Sequence, residues 1–144
     1  TVALRDGTGT ITANTFDGVA TSANYADLAE IYSTDKEYEV GTVMAIGGDA
    51  ETTEYDKTKS AFGVISEKPG FLMNKDAEGQ AIAFVGRVPV KVKGAVSKGD
   101  KVFADDGGVA TTTKKGELIG FALETDSNLS TKLVEVALRL INNS

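Results

Sequence analysis

The sequence predicts an all-β protein in which a short extended N-terminal stalk is followed by a β-barrel-like or sandwich domain. From residue 28 onward, short apolar segments alternate at regular intervals with turn dipeptides. Several of these segments place apolar side chains at every second position, the period of a β-strand. Helical periodicity is scarce, and the alternation of strands and helices that is typical of parallel sheets does not occur.

The first segment, residues 1–26, is rich in Thr, Gly, Ala and Asn. Alternation over Thr10–Phe16 predicts an extended strand, with turn dipeptides at Asp6-Gly7 and Asp17-Gly18. Its large apolar side chains are Leu4, Ile11, Phe16 and Val19. They are too few to form a core, and a two-stranded piece is marginal in water unless another surface covers it. We therefore divide the chain into a stalk or trimerisation segment, 1–26, and a globular β domain, 27–144.

The stretch that joins the two segments, "ANYADLAEIY", has two interpretations. Ser22 can cap a helix in which Tyr25, Leu28, Ala29 and Tyr32 recur at helical spacing. Alternatively, Leu28–Tyr32 is the first strand of the β domain. We favour the strand, because three consecutive β-rich segments follow it.

Nine further segments are predicted as strands. They are Thr42–Ile46, Thr52–Tyr55, Ala61–Ser66, Ala81–Val85, Val88–Val92, Lys101–Ala104, Val109–Thr112, Leu118–Glu124 and Leu133–Ile141. Two of them alternate clearly enough to predict a buried face, formed by Val88, Val90, Val92, Val134, Val136, Leu138 and Leu140. Pro89 lacks a backbone N–H, so its strand is expected at a sheet edge, or to begin there.

Composition argues against most kinds of catalytic site. The chain has neither Cys nor His, which removes thiol nucleophiles, the commonest metal ligand and the usual general base near neutral pH. We predict no enzyme activity, no cofactor and no metal. The net charge is −6, and residues 1–50, with two basic and eight acidic side chains, account for all of it. Nucleic-acid binding is not expected from this balance, and no apolar run predicts membrane insertion.

Two short motifs and one pair of lysines have the residue types of binding sites. "ADDGG", residues 104–108, predicts a hairpin turn. "ETDSN", residues 124–128, lacks the glycine and the final glutamate of a calcium loop, so no calcium site is predicted. Lys91 and Lys93 alternate on one strand face and are the candidate surface for an anionic ligand. The competing interpretation is a solvated strand face that discourages edge-to-edge aggregation.

Residues 26 to the end carry a family resemblance, through "DLAE", "FGVISEKP" and "GRVPVKVKGAVSKGD". The order of these motifs resembles the C-terminal β domain of tail-fibre and related virion proteins of tailed bacteriophages. The second half also resembles phage capsid-decoration proteins. A self-cleaving phage-fibre domain shares Ala29-Glu30-Ile31-Tyr32 and Gly63-Val64-Ile65-Ser66 with Pro69, although the lack of His argues against autoproteolysis here.

The resemblance implies a homotrimeric structural component of a bacteriophage virion, assembled in the host cytoplasm. A tail-fibre domain that presents loops to a host receptor is the first interpretation. Capsid decoration, or a head fibre, is the alternative, and a self-cleaving fibre domain is the second alternative. A decoration protein is expected to be complete at about this length, whereas a fibre domain continues upstream of Thr1. The proposed trimer interface comprises Leu4, Ile11, Phe16, Val19, Tyr25 and Leu28, and the partners are the chain itself and other virion proteins.

Overall fold

The computed structural model describes residues 4–19, 22 and 26–139, and its regular elements there are all β-strands. The ten strands are β1 (Asp27–Tyr32), β2 (Val43–Ile46), β3 (Thr52–Glu54), β4 (Ala61–Ile65), β5 (Phe71–Met73), β6 (Gln80–Val92), β7 (Lys101–Asp105), β8 (Val109–Thr111), β9 (Leu118–Ala122) and β10 (Lys132–Arg139). The all-β prediction is confirmed. Residues 27–32 form a strand, so the helical alternative for this stretch is wrong.

Five strands close into a small barrel. The order β6-β10-β9-β7-β8 returns to β6, because β6 pairs antiparallel with β10 on one edge and parallel with β8 on the other. The parallel closure is the pairing of Val92 with Ala110. Closure removes the exposed edges that a five-stranded open sheet would present.

The first half of β6 belongs to a second group of strands. There it pairs with β1 on one edge and with β4 on the other, and the sheet continues through β2 to β3. Strand β5 pairs in parallel with the far edge of β1. A single 13-residue strand therefore connects the barrel to the sheet that carries the N-terminal end of the domain.

The sequence predicted two strands where the structure has the single strand β6. Gly86, in the predicted gap, has a φ of 108° and lies against the backbone of residue 26, where an added Cβ would be 2.1 Å from the Ala26 carbonyl oxygen. Glycine is needed here because another backbone segment lies too close for a side chain, and it does not end the strand. Strand β5, which pairs with β1, has no counterpart among the predicted strands.

The prediction that Pro89 marks an edge or a strand start is wrong. Pro89 lies inside β6 and is paired with Glu135 of β10. The Glu135 N–H donates to Glu124 and its carbonyl accepts from Leu123, so the backbone of this pair is turned away from the β6–β10 ladder. Two residues along β6, the Lys91 N–H donates to the Gly41 carbonyl in a loop. The missing N–H of Pro89 therefore faces a loop, where no strand ladder loses a bond.

The core is the alternating apolar face that the sequence predicts. Val88, Val90, Val92, Val134 and Val136 are fully buried, and Leu138 is 1% exposed. Leu140, predicted for the same face, lies outside the described residues. A smaller cluster forms around Met44, Ile65 and Ile82, where Tyr32 packs edge-to-face on Phe62 with ring centroids 4.9 Å apart.

The predicted hairpin turn at residues 104–108 is confirmed and connects β7 to β8. Its tip docks onto the β2–β3 sheet, since the Val43 N–H donates to the Gly108 carbonyl at 2.8 Å and the Gly108 N–H donates to the Tyr55 carbonyl at 3.1 Å. The hairpin thus joins the barrel to the second sheet.

The N-terminal segment is irregular, and the strand predicted over Thr10–Phe16 is wrong. The only pairing among residues 4–19 is an isolated bridge between Arg5 and Ile11. Between them the Asp6 carboxylate accepts hydrogen bonds from the Thr8 hydroxyl and from the Thr8 and Thr10 N–H groups, at 2.6 to 2.8 Å. These bonds, that of the Thr8 hydroxyl first, lower the pKa of Asp6. Local turn chemistry overrides the alternating pattern because no neighbouring strand supplies a ladder.

In the described part of the chain, no helix is long and apolar enough to cross a membrane.

Candidate functional site

The N-terminal segment carries large apolar side chains that nothing in the described chain covers. Every described position from 4 to 19 is exposed. The exposed fractions are 82% for Leu4, 60% for Ile11, 79% for Phe16 and 87% for Val19. Single exposed apolar residues are ordinary on protein surfaces, whereas several in one short segment suggest a contact with another surface. We call residues 4–19 the ribbon.

A second apolar surface lies on strands β1, β5 and β6. Leu28 of β1 pairs with Phe71 of β5 on one side and with Val85 of β6 on the other. Directly opposed residues on adjacent strands point to the same face. Leu28 is half-buried, Phe71 is 63% exposed and Val85 is 40% exposed. We call these three residues the apolar row; it crosses β5, β1 and β6, and β1 is the first strand after the ribbon.

The structure describes five of the six predicted interface residues. Leu4, Ile11, Phe16 and Val19 are exposed on the ribbon, Leu28 is in the apolar row, and Tyr25 lies outside the described residues. Phe71 and Val85 were not predicted as interface residues. The sequence does not predict strand β5, so it gives no reason to place Phe71 at an interface. Val85 is predicted only as the last residue of a strand.

The predicted anionic-ligand face is partly occupied by an acidic neighbour. The Lys91 ammonium lies 3.1 Å from the Glu39 carboxylate, while Lys93 is exposed. An ion pair of this kind competes with any anionic ligand for Lys91. The arrangement agrees with the solvated-face interpretation.

A buried polar pair lies between the first residue of β1 and the residue that follows β4. The Ser66 hydroxyl donates to the Asp27 carboxylate at 2.6 Å, and the Gly70 N–H donates to the other carboxylate oxygen at 3.0 Å. Asp27 is 7% exposed and Ser66 is 8% exposed. They line a cleft of about 310 Å³ together with Arg87 and Glu135. Among residues 4–19, 22 and 26–139, no cluster of three or more acidic side chains is arranged to hold a metal ion.

Comparison with known proteins gives a likeness of fold. No protein family and no curated protein matches the chain. The chain resembles the crystal structure of the pre-mature bacteriophage phi29 gene product 12, with a TM-score of 0.66 and 17% identity, over 91% of this chain and 23% of that one. It also resembles the crystal structure of the C-terminal fragment of the same phage protein, with a TM-score of 0.61 and 16% identity, over 78% of this chain and 100% of the fragment. The chain thus spans less than a quarter of the longer neighbour and has the fold of its C-terminal fragment.

Proposed function

We propose that this chain is a structural domain of a bacteriophage virion, and specifically a tail-fibre domain that assembles as a homotrimer. Two independent observations support the proposal. The fold is that of a bacteriophage protein fragment, and the ribbon exposes four large apolar side chains in the single chain. The proposed homotrimer rests on the second observation, because exposed apolar side chains are stabilised when another chain buries them.

The energetic argument begins with the ribbon. Ordering a residue costs about 1–2 kcal/mol of backbone entropy, and fully burying a large apolar side chain returns about 1.5–3 kcal/mol. In one chain the ribbon side chains return little, since most of their surface stays in water. Three ribbons that pack around a common axis bury these side chains against one another. The small residues between them, Gly, Thr and Ala, allow the three backbones to approach closely.

The apolar row extends the same interface onto the β domain. Strand β1 is the first strand after the ribbon, and we infer that a trimer built on the ribbon also brings the apolar rows of its three subunits together. Phe71 and Val85 would then be covered by neighbouring subunits. In this arrangement the loops at the far end of each barrel stay exposed and available to other virion proteins or to a host receptor.

The assembly is tested by the mass of the full-length chain in solution, measured by light scattering during size-exclusion chromatography. Three copies of the 15.0 kDa chain have a mass of about 45 kDa. We expect the wild type near that value and the double variant Ile11→Ser/Phe16→Ser shifted toward the single-chain mass. Leu129→Ser is the matched control, because Leu129 is 75% exposed but lies outside the ribbon and the apolar row.

Two results contradict this proposal. One is a single-chain mass for the wild type at millimolar concentration. The other is an equal loss of mass in the ribbon variant and in the Leu129 variant, which would indicate that surface apolarity in general, and not the ribbon, drives association.

We propose further that the domain is not an enzyme. One observation favours self-cleavage as a second candidate function: the Asp27–Ser66 pair is the hydroxyl–carboxylate arrangement from which a nucleophile can be activated, and it lies at the start of the β domain. Intact-mass spectrometry of the purified chain over several days distinguishes the two. A constant mass supports the non-enzymatic role. Two fragments that meet near residue 26, and that disappear in Ser66→Ala, establish self-cleavage instead.

A further inference from the structure

A cleft lined by five lysines opens on the side of the barrel. Its volume is about 590 Å³, within the range of small-ligand sites. Three separate segments contribute the lysines: Lys57 and Lys59 follow β3, Lys101 begins β7, and Lys114 and Lys115 lie between β8 and β9. We call this the lysine cleft.

The lysines are not equally available. Lys57 lies 3.6 Å from both Asp105 and Asp106, and Lys59 lies 2.5 Å from Asp56. The Lys59 ammonium, followed by the Thr58 hydroxyl, holds the pKa of Asp56 at about 2. These two lysines are therefore largely neutralised by the protein itself.

The other three lysines have no such counter-charge. Lys101, Lys114 and Lys115 form no ion pair with any residue that the structure describes. The one acidic side chain that lines the cleft is Glu117, and its carboxylate accepts a hydrogen bond from the Ala61 N–H. Three ammonium groups thus share a concave surface in a protein whose net charge is −6. All three side chains are exposed, so an anion that enters the cleft can reach them.

The backbone that carries these lysines is held in place. Gly116 packs so tightly that an added Cβ would lie 2.3 Å from the Tyr55 hydroxyl and 2.6 Å from the Ala104 carbonyl oxygen. The Ala104 N–H donates to the Glu117 carbonyl at 2.8 Å. Tyr55, which also lines the cleft, is 2% exposed, and burial, followed by the nearby Glu117 charge, raises its pKa. Lys114 and Lys115 therefore project from an anchored loop.

We propose that the lysine cleft binds a small anion that carries two or more phosphate groups. An ammonium group offers three hydrogen-bond donors to phosphate oxygens and needs no fixed in-plane geometry. Several lysines from different segments match an anion whose charge is spread over more than one group. The half-buried ring of Phe103 adds an apolar wall to the same cleft. This site is independent of the proposed trimer.

The experiment is isothermal titration of the full-length protein with inorganic tripolyphosphate, fructose 1,6-bisphosphate and orthophosphate. We expect one site per chain for at least one of the first two probes and binding at least ten times weaker for orthophosphate. Tighter binding of tripolyphosphate identifies a linear oligophosphate, and tighter binding of the bisphosphate identifies a phosphorylated sugar. The double variant Lys114→Gln/Lys115→Gln should weaken binding at least tenfold.

The matched control is Lys36→Gln/Lys75→Gln, which makes the same change in net charge at two exposed lysines outside the cleft. It should change affinity less than twofold. Thermal melting of both variants establishes that they are folded. The proposal is overturned if neither polyanion binds at millimolar concentration, or if the control variant weakens binding as much as the cleft variant does.

Discussion

At the scale of single residues, a buried polar contact lies at the start of β1. Asp27 is almost fully buried, yet its carboxylate has two donors, the Ser66 hydroxyl and the Gly70 N–H. A buried carboxylate is tolerated only when its oxygens are hydrogen-bonded. The pair therefore fixes the start of β1 against the segment between β4 and β5.

Replacing Ser66 by Ala removes one donor and leaves a carboxylate oxygen without a partner. We expect the free energy of unfolding to fall by about 1–3 kcal/mol. Ser130→Ala is the control, because its hydroxyl donates to the Asn128 side chain in an exposed loop, where water can replace it; we expect a change within about 0.5 kcal/mol. Urea denaturation measures both variants. Equal effects would show that burial of the Asp27–Ser66 pair has no energetic consequence.

Residue patterns predicted some contacts and could not predict others. The alternating valines were sufficient to identify the core, because strand periodicity depends only on nearest neighbours in sequence. The lysine cleft was not predicted, because its lysines come from three separate segments. Lys91 and Lys93, which are close in sequence, lie instead on a strand face. There Lys91 forms an ion pair with Glu39.

At the scale of elements, the hairpin between β7 and β8 does more than reverse the chain. Its last tip residue, Gly108, is packed against β2 and β3, where an added Cβ would lie 2.7 Å from Thr42 Cγ2 and 2.8 Å from Glu54 Cγ. Both backbone groups of Gly108 are hydrogen-bonded to these strands or their flanks. The hairpin tip therefore couples the barrel to the second sheet.

Gly107 and Gly108 allow this coupling to be measured with a matched pair. Both have positive φ, of 85° and 67°, but only Gly108 has neighbours that would contact a methyl group. Gly107→Ala should cost about 1 kcal/mol for the left-handed backbone alone. Gly108→Ala should cost about 3 kcal/mol, because the tip must also move away from the sheet. Chemical denaturation compares the two, and similar losses would mean that the docking is not stabilising.

Strand boundaries could be predicted where turn dipeptides flank the strand. The prediction was wrong where a glycine or a proline lies inside a strand. The predicted strands leave Gly86 in a gap and put Pro89 at an edge or a strand start, yet both residues lie inside β6. One permits a close approach of the Ala26 backbone, and the other faces a loop. Strand β5 is three residues long and depends on its parallel pairing with β1. Such a pairing is set by tertiary structure, and local sequence carries little trace of it.

At the scale of the whole molecule, the division between a covered core and an uncovered ribbon predicts how stability depends on concentration. If folding of the ribbon requires three chains, the folded state is favoured by mass action and the melting temperature rises with protein concentration. For a trimer of this size, each tenfold increase should raise Tm by about 2–4 °C.

Differential scanning calorimetry over a hundredfold range of concentration tests this directly. We expect the wild type and Leu129→Ser to show the rise, because Leu129 lies outside the ribbon and the apolar row. Ile11→Ser/Phe16→Ser should melt at a temperature that does not change with concentration, since the β domain keeps its own core of buried valines and has lost only the intersubunit contact. A wild-type Tm that stays constant over this range would mean that the exposed ribbon is not covered by other copies of the chain. That result would contradict the proposed homotrimer and leave the all-β fold unaffected.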